Sequence, residues 1–93
     1  MDREEAEHIV EEWLAKFRSE PYAELVARID AEPFTEEITR GDRRYQLELV
    51  CAWDSQPRGN VRVMASVDDG GVRAFIPLGR DFIKRSDESF VGE

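Results

Sequence analysis

His8 is the only histidine of the chain, and Glu4, Glu7, Glu11 and Glu12 stand beside it or one helical turn away. An imidazole and a carboxylate at that spacing can hold a metal ion or pass a proton. One such pair is a weak signal, and His8 lies off the centre of the local apolar stripe, so the spacing favours a solvated histidine. Cys51, the only cysteine, alternates onto the apolar side of its segment, which suits packing over nucleophilic attack. No Ser-His-Asp or Cys-His arrangement can be assembled, because His8 would have to serve each of them. Asp68-Asp69-Gly70-Gly71 offers carboxylates for calcium, yet an EF-hand loop spreads its ligands over about twelve residues and ends in Glu. Turn chemistry accounts for those four residues. Asp54 and Asp68 fall at opposite ends of the strands, too far apart for paired acid–base work. The residue types therefore assign no catalytic, cofactor or metal site, and the expectation leans away from an enzyme.

Two surfaces remain as candidates. Trp53, Asp54 and Arg58, with Arg80 and Asp81, gather at one end of the strands as a rim for a small anionic or polar ligand. Val50, Met64 and Phe75 fall side by side on the second face of the sheet, with Glu48 and Arg73 in the neighbouring row. An apolar cluster rimmed by charge is a contact surface for a second copy or another protein, unless the C-terminal tail covers it with Phe82, Ile83 or Phe90.

Both surfaces depend on how the chain is folded. Asp2 and Glu5 form a capping-box pattern, and Ala6, Ile9, Val10, Trp13, Leu14 and Phe17 recur at helical spacing. Ser19-Glu20-Pro21 interrupts that stripe, and Tyr22, Leu25, Val26 and Ile29 continue it on a second helix, so residues 1–31 form a kinked helical pair. Strands are predicted over residues 34–39, 43–53, 60–68 and 72–78. Gly41-Asp42 sets Ile38 opposite Tyr45 and Phe34 opposite Leu49. The next turn sets Trp53 opposite Val61 and Leu49 opposite Ala65. Asp69-Gly70 is a hairpin signal that pairs Val67 with Val72, Ala65 with Ala74 and Val63 with Ile76. Residues 33–78 thus read as an antiparallel sheet and 79–93 as a tail. The expected fold is α+β in two layers, two helices on one face of a four-stranded antiparallel meander. That αα-ββββ order resembles the cystatin-like and nuclear-transport-factor-2-like architectures, and such an analogy of element order implies no function.

The 93 residues form one domain with a single core. Net charge is −8, and it resides entirely in residues 1–37, where 12 acids face 4 bases. Such a surface repels phosphate backbones, so nucleic acid is not an expected partner. No apolar run approaches the roughly 20 residues that span a bilayer, the first residues do not form a signal peptide, and one cysteine suits a reducing compartment. The expectation is a cytoplasmic protein with no membrane partner.

Asn60-Val61-Arg62-Val63, Asp68-Asp69-Gly70-Gly71, Arg73-Ala74-Phe75, Pro77-Leu78, Asp81-Phe82-Ile83 and Ser89-Phe90-Val91-Gly92-Glu93 resemble the C-terminal part of a group of small uncharacterised bacterial proteins. The Glu-Glu-Trp-Leu and Pro-Tyr-Ala-Glu-Leu segments are similar too. Val72 stands where a Trp is expected, and Glu88 where a Gly would complete an Asp-Gly turn. The resemblance implies a bacterial cytoplasmic protein and no activity. Three functions stay open: a non-enzymatic interaction module acting as a homodimer or on another protein, a small-ligand binder or minimal enzyme with a pocket between sheet and helices, and an immunity- or antitoxin-like inhibitor using its acidic helices.

Overall fold

The computed structural model describes residues 2–68 and 78–93. Its element order is α1 (Arg3–Arg18), α2 (Tyr22–Ala27), β1 (Phe34–Arg40), β2 (Arg43–Asp54), β3 (Asn60–Asp68) and β4 (Leu78–Lys84). The four strands form one open antiparallel sheet in the order β1-β2-β3-β4, which makes the fold α+β.

α1 starts at Asp2, whose side chain accepts from the Glu5 N–H at 3.1 Å. Glu5 does not reach back to complete the capping box. Its carboxylate instead accepts from the Tyr45 hydroxyl at 2.6 Å and pairs with Arg43 at 3.4 Å. The stripe from Ala6 to Phe17 is buried throughout. α1 ends at Ser19, and Pro21, with φ −58° and ψ 149°, turns the chain into the short α2.

β1 and β2 pair with Ile38 opposite Tyr45 and Phe34 opposite Leu49, and Gly41 takes φ +63° in the two-residue turn between them. β2 and β3 pair with Trp53 opposite Val61 and Leu49 opposite Ala65. Both registers agree with the sequence. Tyr45, Leu47, Leu49 and Cys51 on β2, and Val61, Val63, Ala65 and Val67 on β3, join the helical stripe in one core. Burying such side chains contributes about 1.5–3 kcal/mol each, which is what fixes the registers.

The last strand departs from expectation. The partners of Val67, Ala65 and Val63 are Leu78, Arg80 and Phe82, not Val72, Ala74 and Ile76. The expected hairpin at Asp69-Gly70 and the residues Val72, Arg73, Ala74, Phe75 and Ile76 lie outside the described residues. The sheet therefore runs to Lys84, and residues 79–84 belong to it and not to a tail. On β4 alternation sends Leu78, Arg80, Phe82 and Lys84 inward.

Those inward cations are satisfied by the helices. Arg80 pairs with Glu11 at 3.3 Å and Glu7 at 3.6 Å on α1. Lys84 is only 4% exposed, and its ammonium donates to the carbonyls of Arg18 at 2.9 Å and Glu20 at 2.8 Å while pairing with Glu88 at 3.2 Å. It thereby caps the C-terminal end of α1, where carbonyls lack intrahelical partners. Beyond β4, Phe90 bridges back to Lys84, meets Phe82 edge-on at 5.6 Å and lies under the Arg18 guanidinium at 4.3 Å. Glu88 holds a left-handed φ of 73°, and its carboxylate accepts from the Tyr22 N–H at 3.0 Å at the start of α2. Residues 85–93 thus seal the α1–α2 junction instead of covering the second sheet face.

Candidate functional site

The face of the sheet turned away from the core carries Glu48, Val50, Ala52 and Asp54 on β2, Arg62, Met64 and Ser66 on β3, and Gly79, Asp81 and Ile83 on β4. The registers align these in rows. Val50 lies beside Met64 and then Asp81; Glu48 beside Ser66 and then Gly79; Ala52 beside Arg62 and then Ile83. Val50 and Met64, side by side, are half-buried.

A concavity of about 550 Å³ opens here, lined by Glu48, Val50, Met64, Ser66, Gly79 and Asp81. Gly79 supplies depth: a Cβ added there would meet only the Ala65 carbonyl, at an ordinary 3.6 Å, so the missing side chain leaves space that a larger residue would fill. The two carboxylates on the rim differ. Asp81 pairs with Arg62, which also binds Asp54 at 3.1 Å, so one guanidinium spans three strands and ties β2 to β4. Those two carboxylates hold the Arg62 guanidinium above its ordinary pKa. Glu48 is exposed and carries no ion pair among the described residues.

The sequence-predicted residues are only partly brought together. Val50, Met64 and Glu48 share the concavity, but Met64 is followed on β4 by Asp81; Phe75 and Arg73 lie outside the described residues. The expected rim is divided. Asp54 and Asp81 meet through Arg62 on the outer face, Trp53 turns inward and packs partly buried against the core, and Arg80 turns to α1. Arg58 is exposed in the β2–β3 turn with φ 66°. Asp81 moved from the rim to the face because it, and not Phe75 six residues earlier, is the β4 partner of Met64. Arg62 and Gly79 were missed as site residues. An arginine two positions from the middle of an alternating strand, with acids available on both flanking strands, was the signal for the first; the wrong β4 register hid the second.

The other chemistry-bearing groups lie away from this face. His8 is exposed on α1. Cys51 is buried, and burial pushes its thiol up to about 11, so little thiolate exists near neutrality. Tyr45 is likewise pushed up to about 12 by burial and by its bond to the Glu5 carboxylate. Among the described residues no three His, Cys, Asp or Glu side chains converge on a possible metal position, and no helix is long and apolar enough to cross a membrane. Comparison of the chain with protein-family models, with curated proteins and with solved structures finds no match.

Proposed function

We propose that this chain is a protein-interaction module whose contact surface is the outer sheet face, and that its partner presents an apolar side chain beside a cation. The observation that carries this reading is the concavity at the centre of that face, with Val50 and Met64 on its floor and, at its edge, the Glu48 carboxylate, unpaired among the described residues. An apolar side chain entering the space above Gly79 removes Val50 and Met64 from water, which favours association by about 25 cal/mol per Å². A neighbouring Lys or Arg then meets Glu48, and the chain's net charge of −8 draws such a partner in.

The face is favoured over the acidic helix because the acids of α1 are largely engaged within the chain: Glu5 with Arg43, and Glu7 and Glu11 with Arg80. It is favoured over a pocket between the layers because Trp13, Leu14, Leu25, Leu47 and Val63 fill that space, each no more than 5% exposed. A reducing compartment such as the cytoplasm suits the lone buried thiol.

Panning a display library of short random peptides against the purified chain tests the reading. Enriched peptides are expected to pair an apolar residue with Lys or Arg, and to lose at least tenfold in affinity for Met64→Asp and for Glu48→Lys. Enriched peptides that bind both folded variants as tightly as the parent chain would refute it.

A further inference from the structure

β1 is an edge strand with a row of backbone groups open on one side. Among the described residues it pairs only with β2, all but Ile38 of its seven residues are exposed, and it contains no Pro or Lys, the residues that usually blunt such an edge. The turn at Gly41-Asp42 closes on the Arg40–Arg43 pair. A two-residue hairpin turn closes on a pair that exchanges both hydrogen bonds, so the even-numbered residues of β1 direct their N–H and C=O groups at β2. Thr35, Glu37 and Thr39 direct theirs outward.

The inner face of this strand carries two charges without an ionic partner among the described residues. Glu36 accepts only a 3.4 Å bond from the Trp13 indole, and Arg40 donates only to the Thr39 carbonyl, at 3.3 Å. An inward-pointing charge on an edge opposes indiscriminate strand addition. It selects an incoming strand that places the opposite charge beside it.

This chain's own β1 is such a strand. We propose that two copies associate by antiparallel pairing of their β1 edges about a two-fold axis at Ile38, so that Glu36 of each copy faces Arg40 of the other. Hydrogen-bond direction admits only registers in which outward groups face outward groups. Centring the axis on Glu36 or on Glu37 sets two carboxylates directly opposite each other. Centring it on Ile38 gives two Glu36–Arg40 pairs, sets Glu37 beside Thr39 as the hydrogen-bonded pairs, and brings the two Ile38 side chains into contact. A cleft of about 200 Å³ between α1 and β1, lined by Ile9, Glu12, Trp13, Lys16, Ile38 and Arg40, opens beside this axis and receives the second copy's isoleucine. The product is an isologous dimer with one continuous eight-stranded sheet. It is independent of the outer face, which both copies leave free.

Light scattering over a wide concentration range tests this with five samples: the parent chain, Glu36→Arg, Arg40→Glu, an equimolar mixture of those two variants, and Glu37→Pro. The parent is expected to reach twice its 10.8 kDa mass. Each single substitution puts like charges opposite at two places and weakens association on the order of tenfold to a hundredfold. The mixture restores both opposite-charge pairs and recovers the dimer mass. Glu37→Pro, which removes an outward N–H that the monomer does not use, abolishes the dimer without altering any charge pair. A parent chain that stays monomeric at about millimolar concentration, a dimer indifferent to both single variants and to Glu37→Pro, or a mixture of folded variants that stays monomeric would each overturn the proposal.

Discussion

Lys84→Met isolates what the buried ammonium contributes. Methionine keeps the length of the stem, while removing all three donors and the charge that sits 5.2 Å from the centre of the Phe90 ring. Each of those donors has an acceptor in place, at 2.9, 2.8 and 3.2 Å. The loss falls unequally on the acceptors. Glu88 is about half-exposed and rehydrates at little cost. The carbonyls of Arg18 and Glu20 lose charge-assisted bonds in a partly buried site, worth about 1.5–3 kcal/mol each, offset in part because no ammonium need be desolvated. The expected net loss is about 2–4 kcal/mol, a large fraction of the roughly 5–15 kcal/mol of a small domain. Urea unfolding followed by tryptophan fluorescence reads it as a fall in midpoint at unchanged slope. Glu88→Gln serves as the control and is expected to cost less than about 1 kcal/mol through the ion pair alone. A Lys84→Met loss below about 0.5 kcal/mol, or one no larger than that of Glu88→Gln, would refute the assignment of Lys84 as the cap of α1.

Two further perturbations test the core and the α2 junction. Tyr45 and Cys51 have folded-state pKa values raised to about 12 and about 11, in both cases chiefly by burial. Folding favours their neutral forms, so this contribution is complete below the unfolded values of 10.0 and 9.0 and is lost as pH rises through the folded ones. Stability measured across that window should fall, and the combined Tyr45→Phe and Cys51→Ala variant should flatten the slope; an unchanged slope would contradict the burial argument. Glu88→Gly relieves a left-handed backbone, a gain of about 1 kcal/mol. It also removes the acceptor of the Tyr22 N–H and the partner of Lys84, so the expected net effect is a loss of about 1 kcal/mol, checked by thermal melting.

Much of the architecture was legible because apolar periodicity and turn chemistry agree over most of the chain. The α1 stripe, the Asp2 cap, the Ile38–Tyr45 and Trp53–Val61 registers and the edge position of β1 all follow from residue type and spacing. β4 did not follow, and the reason is physical. The run from Leu78 to Lys84 places arginine and lysine on the buried side, so a pattern built on apolar alternation rejects it. Asp69-Gly70 followed by Val72, Ala74 and Ile76 satisfies every local rule for a hairpin and wins on sequence alone. The compensation for inward cations comes from α1, more than sixty residues away, and local patterning has no access to it. The candidate site inherited that error: Val50 and Met64 were placed correctly by the β2–β3 register, while their neighbour on the third strand was not.

The same compensation gives a second meaning to the charge asymmetry. An excess of acid confined to residues 1–37 looks from the sequence like a solvated or docking surface. In the fold, Glu5 holds Arg43 and Tyr45, Glu7 and Glu11 hold Arg80, and Glu20 holds Arg28, so four of those acids secure the helices to the sheet and to each other. Each exposed pair contributes at most about 1 kcal/mol, too little to decide either the fold or the direction of α1. α1 placed the other way along the sheet would bring its acidic first turns toward Lys84's end and its C-terminal carbonyls toward Arg80's end. The buried ammonium would then lose the helix terminus that it caps, with a penalty several times that of any surface pair. The inward lysine and arginine of β4 thus act as polar selectors for the direction of α1, and the acid-rich N-terminal helix is their counterpart.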